Sequence, residues 1–267
     1  MSGSVTLARR IEHSDARGAC DAVAAMASLR PEHGATFEAM AGGFAVYGGV
    51  GSPLSRARAL GMQGPVSEDE LIRLESFYQV RGLPTRFELC PYADPSLFAI
   101  VGQRGYRVTG FANVFVLDPA AVPDTRSPPR DLRVRQVDSS DALGWSRLIG
   151  QGFGEPEPSL MTIEIGLAQF GRPDVACFQA ELGGMPIGGG VVGFDLGAGF
   201  LFAGSTHPDH RGHGAQTALI AARVAHARAH GCDLVSVVSS AGSGSQRNIE
   251  RAGFRVLYTR VSMERAA

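Results

Sequence analysis

Apolar residues in this chain change their spacing several times, and each change marks an element. Over residues 5–29, Val5, Leu7, Ile11, Val23, Met26 and Leu29 fit a helix, with Ser14 or Asp15 as an internal cap. Thr36–Met40 and Phe44–Tyr47 read as strands around a Gly42-Gly43 turn, and Ser55–Leu60 as a third strand. Ser67-Glu68-Asp69-Glu70 opens a helix: Ser67 can cap the free amides while Glu70 reaches back, and Leu71, Leu74 and Tyr78 share one face. Phe87–Cys90 is a short strand, Asp94-Pro95 starts a helix that Gly102 and Gly105 end, and Tyr106–Leu117 is a strand interrupted at Gly110.

The second half repeats this rhythm. Leu132–Val137 alternates as a strand, and Asp138-Ser139-Ser140-Asp141 caps a helix through Ile149. A loop covers Gly150–Pro158, and a helix follows near Ser159–Phe170. Strands at Val175–Leu182, Pro186–Phe194 and Gly199–Gly204 precede a long helix from Ala215. Then come a buried-type strand at Leu234–Val238, a helix Ser245–Ala252 and strands on Phe254–Met263. Gly188-Gly189-Gly190 predicts a bulge or a close backbone approach in its strand. Arg104-Gly105-Tyr106-Arg107-Val108 echoes Ala252-Gly253-Phe254-Arg255-Val256, and Gly82 echoes Gly231 at nearly the same offset. Each copy runs helix, glycine, strand, short helix, Gly-aromatic, strand, which points to an internal duplication.

Composition narrows the class. The 267 residues, 44% hydrophobic and 19% charged, suit a globular protein with ample core and room for two domains. A formal net charge of −1 gives no electrostatic case for nucleic acid or an anionic membrane as a partner. There is no apolar run long enough for a membrane span, and Met1–Val5 lacks the features of a secretory signal, so a cytoplasmic protein is expected. Cys20, Cys90, Cys177 and Cys232 stand apart with no Cys-x-x-Cys spacing, which favours reduced thiols over a disulfide frame or zinc site. The proline-rich stretch 119–130 is the clearest boundary. It divides a first domain, 1–120, from a linker, 121–130, and a second domain, 131–267.

The chemistry concentrates between Gly199 and Ile220. A short apolar strand ends in the turn residues Pro208-Asp209, and a helix with Leu219, Ile220, Val224 and Ala227 begins at Ala215. Between them lie Arg211, Gly212 and Gly214. A helix start presents unpartnered N–H groups and partial positive charge. Glycines let an anion approach them, and arginine adds a cation, so this is a phosphate site. A P-loop would need Gly-Lys-Ser/Thr, which does not follow either glycine. A dinucleotide fingerprint would need glycine where Thr217 stands and an acid at the end of the next strand, whereas Asp233 stands at its beginning.

Arg211-Gly212-His213-Gly214-Ala215-Gln216, preceded by Thr206-His207-Pro208, resembles the pyrophosphate loop of the GCN5-related N-acetyltransferase (GNAT) superfamily, Arg/Gln-x-x-Gly-x-Gly/Ala. Gln216 departs from the small residue usual at the sixth position. The order β-α-α-β-β-β-α-β-α-β from about Asp131 to Arg265 also fits that fold. The resemblance implies an α+β protein of two tandem GNAT-like domains, each a twisted mixed sheet flanked by helices. The first would be degenerate, since Gly61–Ser67 lacks the loop and Pro65 lacks an amide.

It implies acetyl-CoA as cosubstrate, no metal, an amine acceptor as partner, and a monomer or homodimer. Gly204, Ser205 and Thr206 would offer amides to pantetheine and the acetyl carbonyl. Arg211, Gly212, His213, Gly214, Ala215, Gln216 and Thr217 would hold the pyrophosphate, and Asn248 would meet the pantetheine amides. Where the family often has a tyrosine as general acid, this chain has Ile249. No catalytic residue is assigned. His207, Glu155, Glu157 and Tyr258 are candidates, each with an ordinary structural explanation beside the catalytic one. The spacing of His207, His210 and His213 lacks the carboxylate or thiolate support of a metal site. Two readings stay open: an N-acetyltransferase, or an acyl-CoA-binding sensor or scaffold without turnover.

Overall fold

The computed structural model describes residues 2–118 and 130–266; the expected linker, apart from Arg130, lies outside the described residues. The chain groups into two compact units. One holds the sequence up to Val114 together with the stretch from Leu257 onward, and the other spans Phe115–Val256.

In the first unit, α1 (Ser2–Leu29) buries Ala8, Ile11, Cys20 and Val23 at helical spacing. Strands β1 (Thr36–Met40) and β2 (Gly43–Tyr47) form an antiparallel hairpin. Its turn residues Ala41 and Gly42 sit at φ 51° and 70°, the left-handed pair that a two-residue hairpin requires. Ser55–Leu60 is not a strand. It makes only isolated bridges, Phe44 to Arg58 and Ala57 to Phe87, because Ser55 Oγ ties back to Gly48 N and Gly49 O, and Ala59 turns left-handed at φ 55°.

Helix α2 (Glu68–Gln79) has the expected capping box, with Glu70 N donating to Ser67 Oγ and Ser67 N to Glu70 Oε2. After it come β3 (Thr85–Leu89), α3 (Pro95–Gln103) capped by Asp94, and β4 (Arg107–Leu117), which Gly110 does not interrupt.

The second unit runs β5 (Leu132–Gln136), α4 (Ala142–Gly152), α5 (Leu160–Gln169), β6 (Val175–Leu182), β7 (Met185–Asp195), β8 (Ala198–Thr206), α6 (Ala215–Ala229), β9 (Leu234–Ser240) and α7 (Gly244–Arg251). The closing strand β10 (Arg255–Arg265) then crosses to the first unit. Strands of the second unit lie in the order β9-β8-β7-β6-β5, antiparallel except for the parallel β8–β9 pair. The result is a mixed sheet flanked by helices. On one face Leu219, Ile220, Val224 and Ala227 of α6 pack on Ile187, Val192, Leu201 and Val235; on the other, Trp145 and Ile149 of α4 pack on Cys177 and Val191. Each large apolar side chain buried this way contributes about 1.5–3 kcal/mol.

The duplicated rhythm is present in space: α2, β3, α3 and β4 follow the same sequence as α6, β9, α7 and β10. Gly82 and Gly231 (φ 67° and 73°) close the first helices, and Gly105 and Gly253 (φ 73° and 88°) close the second. Two complete, successive domains are not what the contacts delineate. Among the described residues the first unit has the β1–β2 hairpin and strands ordered β3-β10-β4. One of those three strands comes from the C-terminal stretch, where Val261 pairs with Leu89 and Met263 with Phe87. Glu12 holds it from α1, accepting from Tyr258 Oη and Arg260 Nε, each at 2.7 Å.

Candidate functional site

The site starts from an irregularity in β8. Val191 of β7 pairs with Phe202, but Gly189 pairs with Ser205, so Ala203 and Gly204 together oppose the single residue Gly190. Ala203 takes φ 50°, a left-handed conformation that costs a non-glycine residue on the order of 1 kcal/mol. On the other edge, β8 pairs with β9 only from Ala198↔Leu234 to Leu201↔Val237. Beyond that register Gly204–Thr206 have no ladder partner in β9, and Thr206 O accepts from Arg211 Nε.

The three glycines of β7 are what this geometry needs. A Cβ on Gly189 would come within 2.7 Å of Trp145 Nε1, and one on Gly190 within 2.6 Å of Arg223 Nη1. Trp145 thus enters from the α4 face, donating to Phe178 O at 2.9 Å. Arg223 enters from the α6 face and donates to Val191 O and Phe202 O, both at 3.2 Å, and to Leu219 O at 3.0 Å. The predicted close approach is therefore met from both sides at once, with the bulge alongside.

After β8, His207 and Pro208 begin a single tight turn, and Gly212 and Gly214 adopt φ 86° and 82°. Gly214 is the N-cap of α6 and brings no side chain to satisfy the helix start, so the amides of Ala215, Gln216 and Thr217 have no intrahelical acceptor. No acidic residue lies in the first turn. These amides open on a cleft of about 1430 Å³ that also receives the start of α7 at Gly244 and Ser245. Among the described residues no carboxylate lines it, while Arg211 and Arg251 do. Two helix starts and two guanidinium groups, with no carboxylate among the described lining residues, give the cleft a positive lining.

All eleven residues expected to meet the cofactor, from Gly204 to Thr217 and Asn248, line this one cleft. Arg211 is not an open fork. Its Nη2 donates to Gly152 O at 3.1 Å and its Nε to Thr206 O at 3.4 Å, so the side chain clamps the end of α4 to the end of β8. Gln216 folds its amide back so that a Cβ on Gly204 would lie 3.2 Å from Nε2, which is how the larger residue is accommodated. Gly152 and Phe153 also line the cleft. They escaped the sequence reading because α4 continues to Gly152 instead of ending at Ile149: the glycines allow Pro158 and Ser205 to pack against the helix, where any Cβ would collide.

The catalytic candidates resolve differently. Ile249 is buried in the core, with the cleft left to its neighbour Asn248. Tyr258 is buried in the first unit and donates to Glu12; burial and that carboxylate raise its pKa well above the ordinary value, which makes it a poor proton donor for the cleft. Glu155 caps α5, accepting from Ser159 N and Thr162 Oγ1 at 2.9 Å each. His207 Nδ1 accepts from Asp209 N at 3.4 Å, and His213 Nδ1 meets His210 O at 3.1 Å. No group of three or more His, Cys, Asp or Glu among the described residues is placed to hold a metal. All four cysteines are buried. Among the described residues no helix is long and apolar enough to cross a membrane.

Residues 143–254, which hold the bulge, the loop and both helix starts, match the model of the acetyltransferase (GNAT) family. No curated protein matches the chain. Among solved structures, a GCN5-related N-acetyltransferase from Kribbella flavida is similar at a TM-score of 0.67, with 17% identity, covering 92% of this chain and 95% of that one. A tandem GNAT protein from the clavulanic acid biosynthesis pathway follows at 0.60, 16% identity, 81% and 76% covered. A putative GNAT-family acetyltransferase from Novosphingobium aromaticivorans follows at 0.54, 16% identity, 91% and 95% covered. At such identities the likeness establishes the fold.

Proposed function

We propose that the protein is an N-acetyltransferase that moves the acetyl group of acetyl-CoA to a primary amine of a small molecule or peptide, in the cytoplasm, as a monomer or homodimer. The observation that carries this reading is the cleft. A diphosphate fits the amides of residues 212–217, which glycines at left-handed φ leave uncovered and no carboxylate opposes. Arg211 steadies that loop from Gly152 O and Thr206 O. The pantetheine arm then runs along the unpaired edge of β8, where Gly204–Thr206 offer peptide groups and Asn248 an amide. The thioester carbonyl lies against the bulge, whose amides stabilise the oxyanion formed when the amine attacks. Most of this work is positioning by main-chain atoms.

A second reading, an acyl-CoA sensor or scaffold without turnover, draws on Ile249, which cannot donate a proton to the departing thiolate. Thiol release from acetyl-CoA separates the two when measured across aminoglycosides, polyamines, amino acids and peptides. Release with any of these amines supports the enzyme. Tight CoA binding with no release across the panel supports the sensor.

A further inference from the structure

Arg223 sits in the middle of α6 and is 2% exposed. A buried arginine ordinarily has a carboxylate partner, because desolvating an isolated charge costs several kcal/mol. Among the described residues this one has carbonyls as its partners: Leu219 O in its own helix, and Val191 O and Phe202 O on the two strands that flank the bulge. Burial alone acts on it, pushing its pKa down to about 10, with no carboxylate opposing the shift; the group is still a cation at neutral pH.

Its guanidinium lies against the bulge. A Cβ on Gly204 would be 3.3 Å from Nη2, and one on Gly190 would be 2.6 Å from Nη1. Glycine at 190 therefore gives the guanidinium its place, and the guanidinium satisfies the Phe202 carbonyl at the residue where the regular ladder breaks. A buried cation held by carbonyls alone costs stability.

We infer that Arg223 is a positioning residue for acyl transfer: it fixes the bulge of β8 and places an uncompensated positive charge behind the strand segment that faces the thioester. This rests on the acyl-CoA reading above. As the amine nitrogen bonds to the carbonyl carbon, negative charge appears on the carbonyl oxygen. When the C–S bond breaks, the electron pair leaves on sulfur, and the proton shed by the amine passes to water. A fixed cation in a low-dielectric surround favours both anions without donating a proton. That suits a chain with isoleucine at position 249.

The test uses the full chain and calorimetric binding of two probes, CoA and desulfo-CoA, from about pH 7 to about pH 9.5, a range that spans ordinary thiol ionisation. For the native chain, the affinity ratio of CoA to desulfo-CoA should rise about tenfold across that range, because the thiolate is preferred. Arg223→Met should abolish the rise, Arg223→Lys should retain part of it, and desulfo-CoA should bind each variant with little change. Gly190→Ala, which keeps the arginine but takes its place beside the bulge, should reproduce the Met result even where Arg223→Met folds poorly. A pH-dependent ratio that survives in both Arg223→Met and Gly190→Ala overturns the inference, as does an equal loss for both probes at every pH. Binding of neither probe by the native chain overturns the acyl-CoA reading itself, and this inference with it.

Discussion

Gly214 and Arg211 show what single residues contribute to the loop proposed to hold the diphosphate. Gly214 holds φ 82° at the N-cap of α6, where aspartate would add backbone strain of about 1–3 kcal/mol and a carboxylate beside the amides. Gly214→Asp should lower CoA affinity by about 100-fold or more in calorimetry, a loss too large for strain alone to explain if the melting temperature barely moves. Arg211→Ala removes two hydrogen bonds that fix the loop and should cost about tenfold. Unchanged affinity in both variants would remove the phosphate assignment. These residues were legible because their spacing places glycine and arginine between a strand and a helix. Arg223 was not: an arginine among alanines in a helix reads as solvated surface, and only the open faces of Gly190 and Gly204 make a buried position for it.

At the scale of elements, α6 carries a pH-dependent contact at its C-terminal end. His226 stands 5.2 Å from the Phe178 ring and 4.2 Å from the His230 ring, which itself stacks on Phe194 at 4.7 Å. Burial, then the neighbouring His230, lowers the His226 pKa below its ordinary 6.5. The folded state thus prefers neutral imidazole, and this contribution is fully present above about pH 6.5 and is lost as pH falls through the lowered value. Thermal melts should show native stability declining from pH 7.5 to 5 more steeply than His226→Gln; parallel curves would dismiss the contact.

Ser67→Ala should cost about 1 kcal/mol in urea unfolding by removing the cap of α2. That cap was readable from four consecutive residues, whereas the internal cap expected at Ser14 or Asp15 is absent from the unbroken α1, and α7 is capped by Ser243, ahead of the expected start. Misread boundaries have a common cause. Gly150–Gly152 looked like a loop and Ser55–Leu60 like a strand, because the contacts that decide them, Pro158 and Ser205 in one case and Gly48–Gly49 in the other, are tertiary or turn contacts with no periodic signature.

At the scale of the whole molecule, the repeated glycine-strand-helix rhythm marked four helix ends, at Gly82, Gly105, Gly231 and Gly253, where a left-handed residue is needed. It did not reveal where the last strand goes. The alternation in β10 buries Tyr258 and Arg260, but the partner of Arg260 is Glu12, almost the full chain length away. Glu12→Ala should destabilise the protein by about 3 kcal/mol, since it strips one carboxylate from a buried guanidinium and an acceptor from Tyr258; a loss below about 1 kcal/mol in urea unfolding would show that Asp15 suffices as partner.

The most direct measurement concerns the main-chain amides at the start of α6. In backbone-resolved NMR titrations with acetyl-CoA, the amide resonances of residues 212–217 are expected to shift most, together with those of Gly204–Thr206. The Gly214→Asp variant should show no response in the loop. Saturable binding that leaves 212–217 unmoved while other resonances shift would contradict the account.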